Sequence, residues 1–338
     1  MMPRISGGFL LAALLVSPFA AAAAPAHDFY LCIALNKGYV TGSKITTTSG
    51  LFHRTPGGDW EHLGYNDLSL VAVAFDPRDH GVIYTANLTG CWRSLNGGRT
   101  WRQTNGWDIT EGRDVAVDPN APDQVYLALP DGVAVSTDRA QTWVRGENGL
   151  PDRGKYTQTI EVDRTQAGRV LAGCESGIYL TENGAKSWRR VLPATRTVDD
   201  IQQDPNDPAH WVAVTEGAGA WASHDGGGTW QALAGVPADQ PLYNVAFGAV
   251  PGRLAIGSWG HGVLTSEDGG QTWTDRNAGL PAPHRVWRVG VDPDDGRLYA
   301  SVKDQALYWS EDFGRTWRRG GFEGSQVNNF IFLPKPVK

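Results

Sequence analysis

Short apolar runs recur along the whole chain, separated by glycine, proline and aspartate. A typical run is VYLA at 125–128, which follows an Asp-Pro pair and precedes a segment that begins with glycine. Apolar and polar positions alternate within many runs at a period of two residues, which predicts β-strands, and the glycine and proline clusters predict tight turns. No long segment carries the period of an amphipathic helix, so the chain is predicted to be all-β.

An eight-residue polar segment that ends in tryptophan recurs among these strands. Its copies are SLNGGRTW (94–101), STDRAQTW (136–143), TENGAKSW (181–188), SHDGGGTW (223–230), SEDGGQTW (266–273) and SEDFGRTW (310–317). The tryptophans are 42 to 45 residues apart, and a weaker copy, HRTPGGDW, ends at Trp60. A fixed period of this size is typical of a repeat architecture with one supersecondary unit per copy. We call each copy a box turn, and seven copies predict seven units.

Every unit has the same internal order, which predicts four strands. A first apolar strand ends in Asp-Pro or an equivalent pair, two further strands follow, and the box turn leads into a fourth strand at its tryptophan. The segment NNFIF at 328–332 is a first strand with nothing after it, whereas FYLCI at 29–33 opens directly on a second strand. The C-terminal strand can therefore complete the N-terminal unit and hide the exposed sheet edges. The prediction is one seven-bladed β-propeller over residues 27–338.

The box-turn pattern S-x-D-x-G-x-T-W resembles the Asp-box, or BNR, repeat of sialidase-like propellers, over essentially the whole chain after residue 26. In such a turn the Asp carboxylate accepts backbone N–H bonds and the Trp ring packs between sheets, so the box turns are interpreted as structural. The units also resemble those of Asp-box xyloglucanases, in turns such as NGLP at 148–151, and single propellers of this length resemble photosystem II assembly factors. The Arg-Ile-Pro motif of true sialidases is missing after residue 26, which argues against sialidase activity, and no catalytic residue is carried over.

The first 26 residues are predicted to be a signal peptide. Arg4 precedes an apolar run at 9–16, and small residues lead to APA at 24–26. The apolar run is too short to span a bilayer, so cleavage after residue 26 would release a protein that starts at His27 and has no membrane anchor. The predicted location is secreted or periplasmic.

Charge and cysteine content narrow the choice of partners. A formal net charge of −6 with mixed signs and no basic run argues against nucleic acid and anionic membranes. The three cysteines, Cys32, Cys91 and Cys174, match no metal-binding spacing and are predicted to be buried free thiols, with one disulfide as the alternative. No cofactor and no metal are predicted, and we expect a monomer.

Strand order places the first strands around a central channel and the box turns on one face of the ring. The opposite face, which we call the mouth face, is expected to bind the ligand. Alternation at period two predicts a ring of channel-facing residues: Ala72, Asp114, Thr159, Asp200, Asn244, Arg288 and Asn329. Glu161 is expected two residues deeper. Asp114, Asp200 and Glu161 are the candidate catalytic residues, as a set that contains an acid and a base; the alternative is a water-filled channel lined by solvated polar groups.

Aromatic and polar residues near the mouth face are the candidate ligand-binding residues. They are Trp107, Arg113, Tyr243, Asn244, Trp259, His261, Trp287 and Arg288. Aromatic faces beside carboxylates and arginine suit a sugar ring, although some of these rings could simply cap blades. The segment 35–49, between the second and third strands of the first unit, is longer than its counterparts and is a candidate lid or substrate wall.

Two functions stay open from the sequence, because one propeller fold hosts many activities. The first is an exported carbohydrate-active or carbohydrate-binding protein; if it is hydrolytic, one carboxylic acid would protonate the glycosidic oxygen while another acts as base or nucleophile. The second is a non-catalytic scaffold that binds a protein partner on the mouth face, as the resemblance to assembly factors implies. Convergence of Asp114, Asp200, Glu161 and Arg288 in one pocket walled by tryptophans would favour the first.

Overall fold

The computed structural model describes residues 25–35 and 48–335, in which strands are joined only by turns and loops. Within these residues the strands form seven antiparallel sheets of four strands each, so the predicted seven-bladed propeller is confirmed. Residues 1–24 of the predicted signal peptide and residues 36–47 of the predicted lid lie outside the described residues. None of the described segments forms a helix long and apolar enough to cross a membrane.

The strands are numbered in chain order. Blade 1 contains β1 (His27–Leu35), β2 (Gly50–Arg54) and β3 (Trp60–Leu63), together with the last strand of the chain. Blade 2 contains β4 (Ala72–Asp76), β5 (Asp79–Asn87), β6 (Gly90–Ser94) and β7 (Arg102–Gln103), and blade 3 contains β8 (Asp114–Val117), β9 (Val125–Leu129), β10 (Gly132–Ser136) and β11 (Val144–Arg145). Blade 4 contains β12 (Thr157–Val162), β13 (Val170–Cys174), β14 (Gly177–Thr181) and β15 (Arg189–Pro193).

The second half of the ring repeats the same order. Blade 5 contains β16 (Val198–Gln203), β17 (Trp211–Thr215), β18 (Ala220–Ser223) and β19 (Gln231–Ala232). Blade 6 contains β20 (Leu242–Phe247), β21 (Leu254–Ser258), β22 (Gly262–Ser266) and β23 (Thr274–Asp275). Blade 7 contains β24 (Val286–Val291), β25 (Leu298–Val302), β26 (Ala306–Ser310) and β27 (Arg318–Arg319), and β28 (Ser325–Pro334) returns to blade 1.

The hydrophobic core lies between neighbouring blades rather than at one centre. The two middle strands of blade 3, β9 and β10, are buried at every position, because each sheet is covered on both faces by its neighbours. In the layer between blades 2 and 3, Tyr84 and Leu127 pack together and the box-turn ring of Trp143 packs against them. Full burial of one such large apolar side chain contributes about 1.5–3 kcal/mol, so every blade depends on the blade beside it.

The ring is closed by the two ends of the chain, as predicted. Strand β28 pairs antiparallel with β1, from His27 opposite Pro334 to Leu35 opposite Ser325. The Phe29 ring stacks on Phe332 across this pair, with ring centroids 4.5 Å apart. The innermost strand of blade 1 therefore comes from the C-terminus, and the pairing joins the first and last parts of the chain in one sheet.

The box turns are closed by hydrogen bonds within each turn. In the turn at 136–143, the Asp138 carboxylate accepts the backbone N–H of Thr142 at 2.8 Å and of Gln141 at 2.9 Å, and the hydroxyl of Thr142 at 2.6 Å. Partial burial acts to raise the pKa of Asp138, but the hydrogen bonds from Thr142, Ser136 and Gln141 lower it to about 2. Asn96 and Asn183 stand at the equivalent position in two turns and still accept the backbone N–H four residues later. The carboxylate therefore accepts hydrogen bonds from within its own turn.

The three cysteines are free and buried, which confirms the prediction of free thiols. Burial raises the pKa of Cys91 and of Cys174 to about 12, and it also raises the pKa of Cys32. These thiols are therefore protonated at neutral pH and pack as small apolar side chains.

Replacing the box-turn aspartate should reduce stability without affecting the mouth face. We expect Asp138→Ala to lower Tm by about 2–4 °C, because four donors lose their acceptor, and Asp138→Asn to lower it less, since one acceptor oxygen is kept as at Asn96 and Asn183. Thermal unfolding followed by circular dichroism measures both. Equal Tm values for the alanine variant and the parent protein would contradict a structural role for the turn.

Candidate functional site

The innermost strands of the blades surround a channel that contains the predicted polar ring. A cavity of about 570 Å3 runs along it and is lined, among others, by Asp114, Glu161, Asp200, Asn244 and Arg288. The three candidate catalytic carboxyl groups and the candidate arginine thus converge in one cavity.

Two carboxylates of this ring bind the innermost strand of the next blade. Asp114 of blade 3 accepts the backbone N–H of Ile160 at 3.0 Å and the hydroxyl of Thr159 at 3.1 Å, both in blade 4. Asp200 of blade 5 accepts the backbone N–H of Val245 in blade 6 at 3.0 Å. The innermost strand of a blade has no partner strand on its channel side, so its backbone N–H groups on that side cannot bond within the sheet. The carboxylates accept hydrogen bonds from these groups instead.

Three further polar side chains continue the same pattern around the ring. Asn244 accepts the N–H and donates to the carbonyl of Val289, both at 2.8 Å. Arg288 donates from Nε to the carbonyl of Asn328 at 3.0 Å, and Asn328 donates to the carbonyl of Leu70 at 2.9 Å. We call these five inter-blade residues the blade girdle: Asp114, Asp200, Asn244, Arg288 and Asn328. In blade 1 the girdle residue is Asn328, which a register shift leaves unpaired with β1. Asn329, predicted to face the channel, does line the channel cavity.

Burial raises the pKa of both girdle carboxyl groups above the ordinary value of aspartate. Burial raises the pKa of Asp114 to about 7, although hydrogen bonds from Ile160, Val115 and Thr159 act to lower it. Burial also raises the pKa of Asp200, against the opposing charge of Arg288. Their observed contacts join blades, and the catalytic role assigned to them from the sequence stays a prediction.

Glu161 differs from the girdle residues because no hydrogen bond of its carboxyl group is found within the described part of the chain. It lines the channel below the girdle. Burial raises its pKa to about 8; Arg164 acts to lower it, and Asp114 and Asp200 raise it further. Glu161 is therefore mainly protonated at neutral pH.

In blades 4 to 7 a β-bulge interrupts the innermost strand close to the mouth face. The pairing with the second strand skips one residue in each blade: Gln158, Asp199, Tyr243 and Trp287. A bulge breaks the alternation of side chains and aims an extra residue away from its expected face. Residues that period two places away from the channel are thereby turned towards its mouth.

All four bulge residues line a second cavity, of about 400 Å3, which we call the mouth pocket. Its lining residues are Tyr156, Gln158, Thr197, Asp199, Glu216, Tyr243, Trp287 and Arg288. They come from blades 4 to 7, so that the pocket occupies one side of the channel mouth. Gln158, Asp199 and Arg288 line both cavities, so the mouth pocket and the channel adjoin at these residues.

An aromatic cluster forms one wall of the mouth pocket. The rings of Tyr243 and Trp287 lie 4.3 Å apart, and the Trp259 ring meets Tyr243 edge-on at 5.8 Å without lining the pocket. Lys303 Nζ lies 5.5 Å from the Trp259 ring and 5.4 Å from the Trp287 ring. Three predicted ligand-binding residues are thus brought together, with one of them behind the other two.

Two carboxyl groups, those of Asp199 and Glu216, also line the mouth pocket. Burial raises the pKa of Asp199 to about 8; Arg288 acts to lower it, and Glu216 and Asp200 raise it further. The Oδ2 atom of Asp199 and the indole Nε1 of Trp287 are buried and have no hydrogen-bond partner among the described residues. One cavity thus contains a carboxyl oxygen and an indole N–H that have no hydrogen-bond partner among the described residues. Such a pair indicates a place for a polar ligand or water.

The remaining predicted residues lie outside the mouth pocket. Trp107 is 92% exposed on the loop that leads into blade 3. Arg113 lines the channel and lies 5.3 Å above the Tyr156 ring, whereas His261 pairs with Asp239 at 3.0 Å. The structure therefore does not gather all eight predicted ligand-binding residues in one site.

Asp199 and Glu216 are pocket residues that the sequence analysis did not select. Period-two alternation selects Asp200 as the channel-facing residue and places its neighbour Asp199 on the other side. A usable signal was the repeated pair of polar or aromatic residues at the start of a first strand, as in Asp199-Asp200 and Trp287-Arg288. Within the described ranges there is no group of three or more histidine, cysteine or acidic residues placed to hold a metal ion.

The chain is similar in sequence to xyloglucanases. No family model matches it. A probable oligoxyloglucan-reducing end-specific xyloglucanase of Neosartorya fischeri is 27% identical over an alignment of 222 residues that covers 54% of this chain and 27% of that protein. A xyloglucanase of Hypocrea jecorina is 23% identical over an alignment of 303 residues that covers 68% of this chain and 36% of that protein. The chain spans about a quarter to a third of the length of these relatives.

Solved structures share the fold. The GH74 xyloglucanase from Xanthomonas campestris superposes with a TM-score of 0.61 at 20% identity, over 74% of this chain and 45% of that one. YCF48 bound to a D1 peptide superposes with a TM-score of 0.56 at 19% identity, over 74% of this chain and 81% of that one. The resemblance to xyloglucanase-like propellers is thus confirmed, and at these identities the structural likeness establishes the fold alone.

Removing one oxygen from a girdle carboxylate should weaken the contact between blades. We expect Asp114→Asn to lower Tm by about 2–4 °C, because its amide group cannot accept from Ile160, Thr159 and Val115 together. Asp108→Asn, an exposed mouth-face change, is the matched control and should leave Tm unchanged. An unchanged Tm of Asp114→Asn together with loss of glycan cleavage would support the catalytic role of Asp114 instead.

The pKa of Glu161 predicts a pH-dependent stability. The folded protein keeps a proton on Glu161 up to about pH 8, whereas the unfolded chain releases it near the ordinary glutamate value, so this contribution to stability is lost as pH rises between the two values. Tm measured from pH 4.5 to 8.5 should fall less steeply in Glu161→Gln than in the parent protein, with a difference of about 2–4 °C at the alkaline end. Glu61→Gln, on an exposed strand position, should keep the parent slope. Parallel slopes for Glu161→Gln and the parent would refute the assignment.

Proposed function

We propose that this protein is an exported glycan-binding propeller whose mouth pocket holds a sugar residue of an oligosaccharide. The observation that carries the proposal is the mouth pocket itself, in which the Tyr243 and Trp287 rings face a cavity shared with Asp199 and Glu216. Its volume of about 400 Å3 lies in the range of small-molecule sites. Export is supported by the signal-like pattern of residues 1–26.

The chemistry of the pocket matches the two sides of a sugar ring. The C–H face of a pyranose stacks on an aromatic ring, and its hydroxyl groups donate to carboxylates and accept from N–H groups. Trp287 offers both functions, because its ring forms the wall and its Nε1 has no partner among the described residues. The similarity to xyloglucanases supports a glycan as the ligand class.

Binding is favoured over hydrolysis by the contacts of the channel carboxylates. Asp114 and Asp200 already accept hydrogen bonds from backbone N–H groups of the next blade, so these carboxyl groups are engaged in joining blades. Glycoside hydrolysis requires two carboxyl groups that flank the scissile bond. An active hydrolase would have to use Asp199 and Glu216 of the mouth pocket for that purpose.

A peptide ligand is the second candidate. It is favoured by the likeness to YCF48, which was solved with a D1 peptide and of which this chain covers 81%. Leu68, Leu88 and Trp107 are exposed on the mouth face near blade 2 and add apolar surface outside the pocket. Such a scaffold would use a wide surface rather than one cavity.

Titration calorimetry with a panel of oligosaccharides tests the proposed function. We expect an oligosaccharide to bind the parent protein and to lose at least about tenfold in affinity with Trp287→Ala, because the stacking wall is removed. Trp107→Ala, a tryptophan change on the same face outside the pocket, should leave the affinity unchanged.

Product analysis by chromatography in the same experiments separates binding from hydrolysis. If the parent protein cleaves an oligosaccharide and Asp199→Asn does not, the protein is a glycoside hydrolase rather than a glycan-binding protein. Failure of every oligosaccharide to bind, together with capture of a peptide that depends on Trp107, would overturn the proposal in favour of the scaffold.

A further inference from the structure

The charge balance of the mouth pocket is uneven. Asp199 and Glu216 both line it, and neither has an ion-pair partner within the described part of the chain. The two acidic residues also affect the pocket wall: burial raises the pKa of Tyr243, and Asp199 and Glu216 raise it further. Glu216 is exposed to solvent and Asp199 is partly buried, so a positive group that enters the pocket meets two acidic groups.

The cation that lines the pocket is already committed elsewhere. Arg288 donates from Nη1 to the carbonyls of Tyr243 at 2.8 Å and Trp287 at 3.1 Å, and from Nε to the carbonyl of Asn328 at 3.0 Å. Among its acidic neighbours Asp200, in the girdle, acts most strongly on it. The guanidinium therefore holds the bulged strands together, and its charge is shared mainly with the channel.

Other nearby cations stand behind the aromatic wall. Lys303 and Arg285 lie over the Trp259 ring, at 5.5 and 5.1 Å, and Lys303 also lies 5.4 Å from the Trp287 ring, but neither cation lines the mouth pocket. Arg113 lies over the Tyr156 ring and lines the channel rather than the pocket. The positive groups around the site thus leave the carboxyl groups of Asp199 and Glu216 facing the cavity.

We propose that the mouth pocket selects an amino sugar, with its ammonium group between Asp199 and Glu216 and its ring against Tyr243 and Trp287. This inference rests on the proposed glycan-binding function and specifies its ligand class. The ammonium group supplies three donors and one positive charge, and the cavity offers carboxyl oxygens, including the unpartnered Oδ2 of Asp199. A neutral sugar fills the same space but brings no positive charge to these two acidic groups.

The free and bound states also differ in protonation. Because burial raises the pKa of Asp199 to about 8, its carboxyl group is mainly protonated in the free pocket at neutral pH. A bound ammonium group favours the ionised carboxylate and lowers this pKa, so that binding releases a proton from Asp199. A neutral sugar has no such effect.

The test compares three oligosaccharides of equal length by titration calorimetry: one of glucosamine, one of N-acetylglucosamine and one of glucose. We expect the glucosamine oligomer to bind at least about tenfold more tightly than the other two, and the preference to shrink as salt screens the charges. Repeating the titration in buffers of different ionisation enthalpy should show proton release with the glucosamine oligomer only.

Matched variants show which residues cause the preference for the glucosamine oligomer. Asp199→Asn and Glu216→Gln should each reduce the preference for the glucosamine oligomer about tenfold while affinity for the glucose oligomer is kept, because shape is conserved and charge is removed. Asp131→Asn alters a mouth-face carboxylate that pairs with Arg145 at 2.7 Å outside the pocket, and it should leave the preference intact. Circular dichroism confirms that each variant is folded.

The outcomes separate this inference from the proposed function. Equal binding of all three oligomers, weakened by Trp287→Ala, would overturn the amino-sugar preference and leave glycan binding in place. Failure of all three to bind would overturn both. Binding of a lysine-containing peptide that requires Asp199, without binding of the glucosamine oligomer, would assign the pocket to a cationic peptide instead.

Discussion

The pairing of β28 with β1 is the constraint on which the rest of the structure depends. Each blade is a sheet whose two faces are apolar, and it can bury them only between two neighbours. A row of blades would leave two such faces in water, whereas a ring leaves none. The antiparallel pairing of the chain ends converts the row into a ring, and the aromatic contact of Phe29 with Phe332 lies in that joint.

A closed ring of sheets creates a second physical problem at its centre. The innermost strands have one edge without a partner strand, and their backbone groups face a narrow channel where hydration is limited. The blade girdle solves this by side chains, because Asp200 accepts from Val245 and Asn244 bonds both polar groups of Val289. Polar residues in the channel are thus required for assembly, and their presence alone does not indicate catalysis.

The β-bulges generate the mouth pocket from this structural framework. At a bulge two successive residues leave the alternation, so that Asp200 can join blades while Asp199 turns to the pocket. The same division separates Arg288, which holds strands together, from Trp287, which forms a wall. The proposed glycan binding and the proposed preference for a positively charged sugar both rest on residues at these bulges, together with Glu216.

The sequence by itself determined the architecture. Box turns at a regular spacing, the four-strand order of each unit and the unpaired first strand at 328–332 predicted seven blades and the closure, because these features are local and repeat along the chain. It also identified Asp114, Asp200 and Arg288 as channel residues. Only the tertiary structure decided which polar residues form hydrogen bonds between blades and which line the mouth pocket. That division depends on register shifts of one residue and on hydrogen bonds between strands about 45 positions apart, as between Asp200 and Val245, and neither leaves a periodic trace in the sequence.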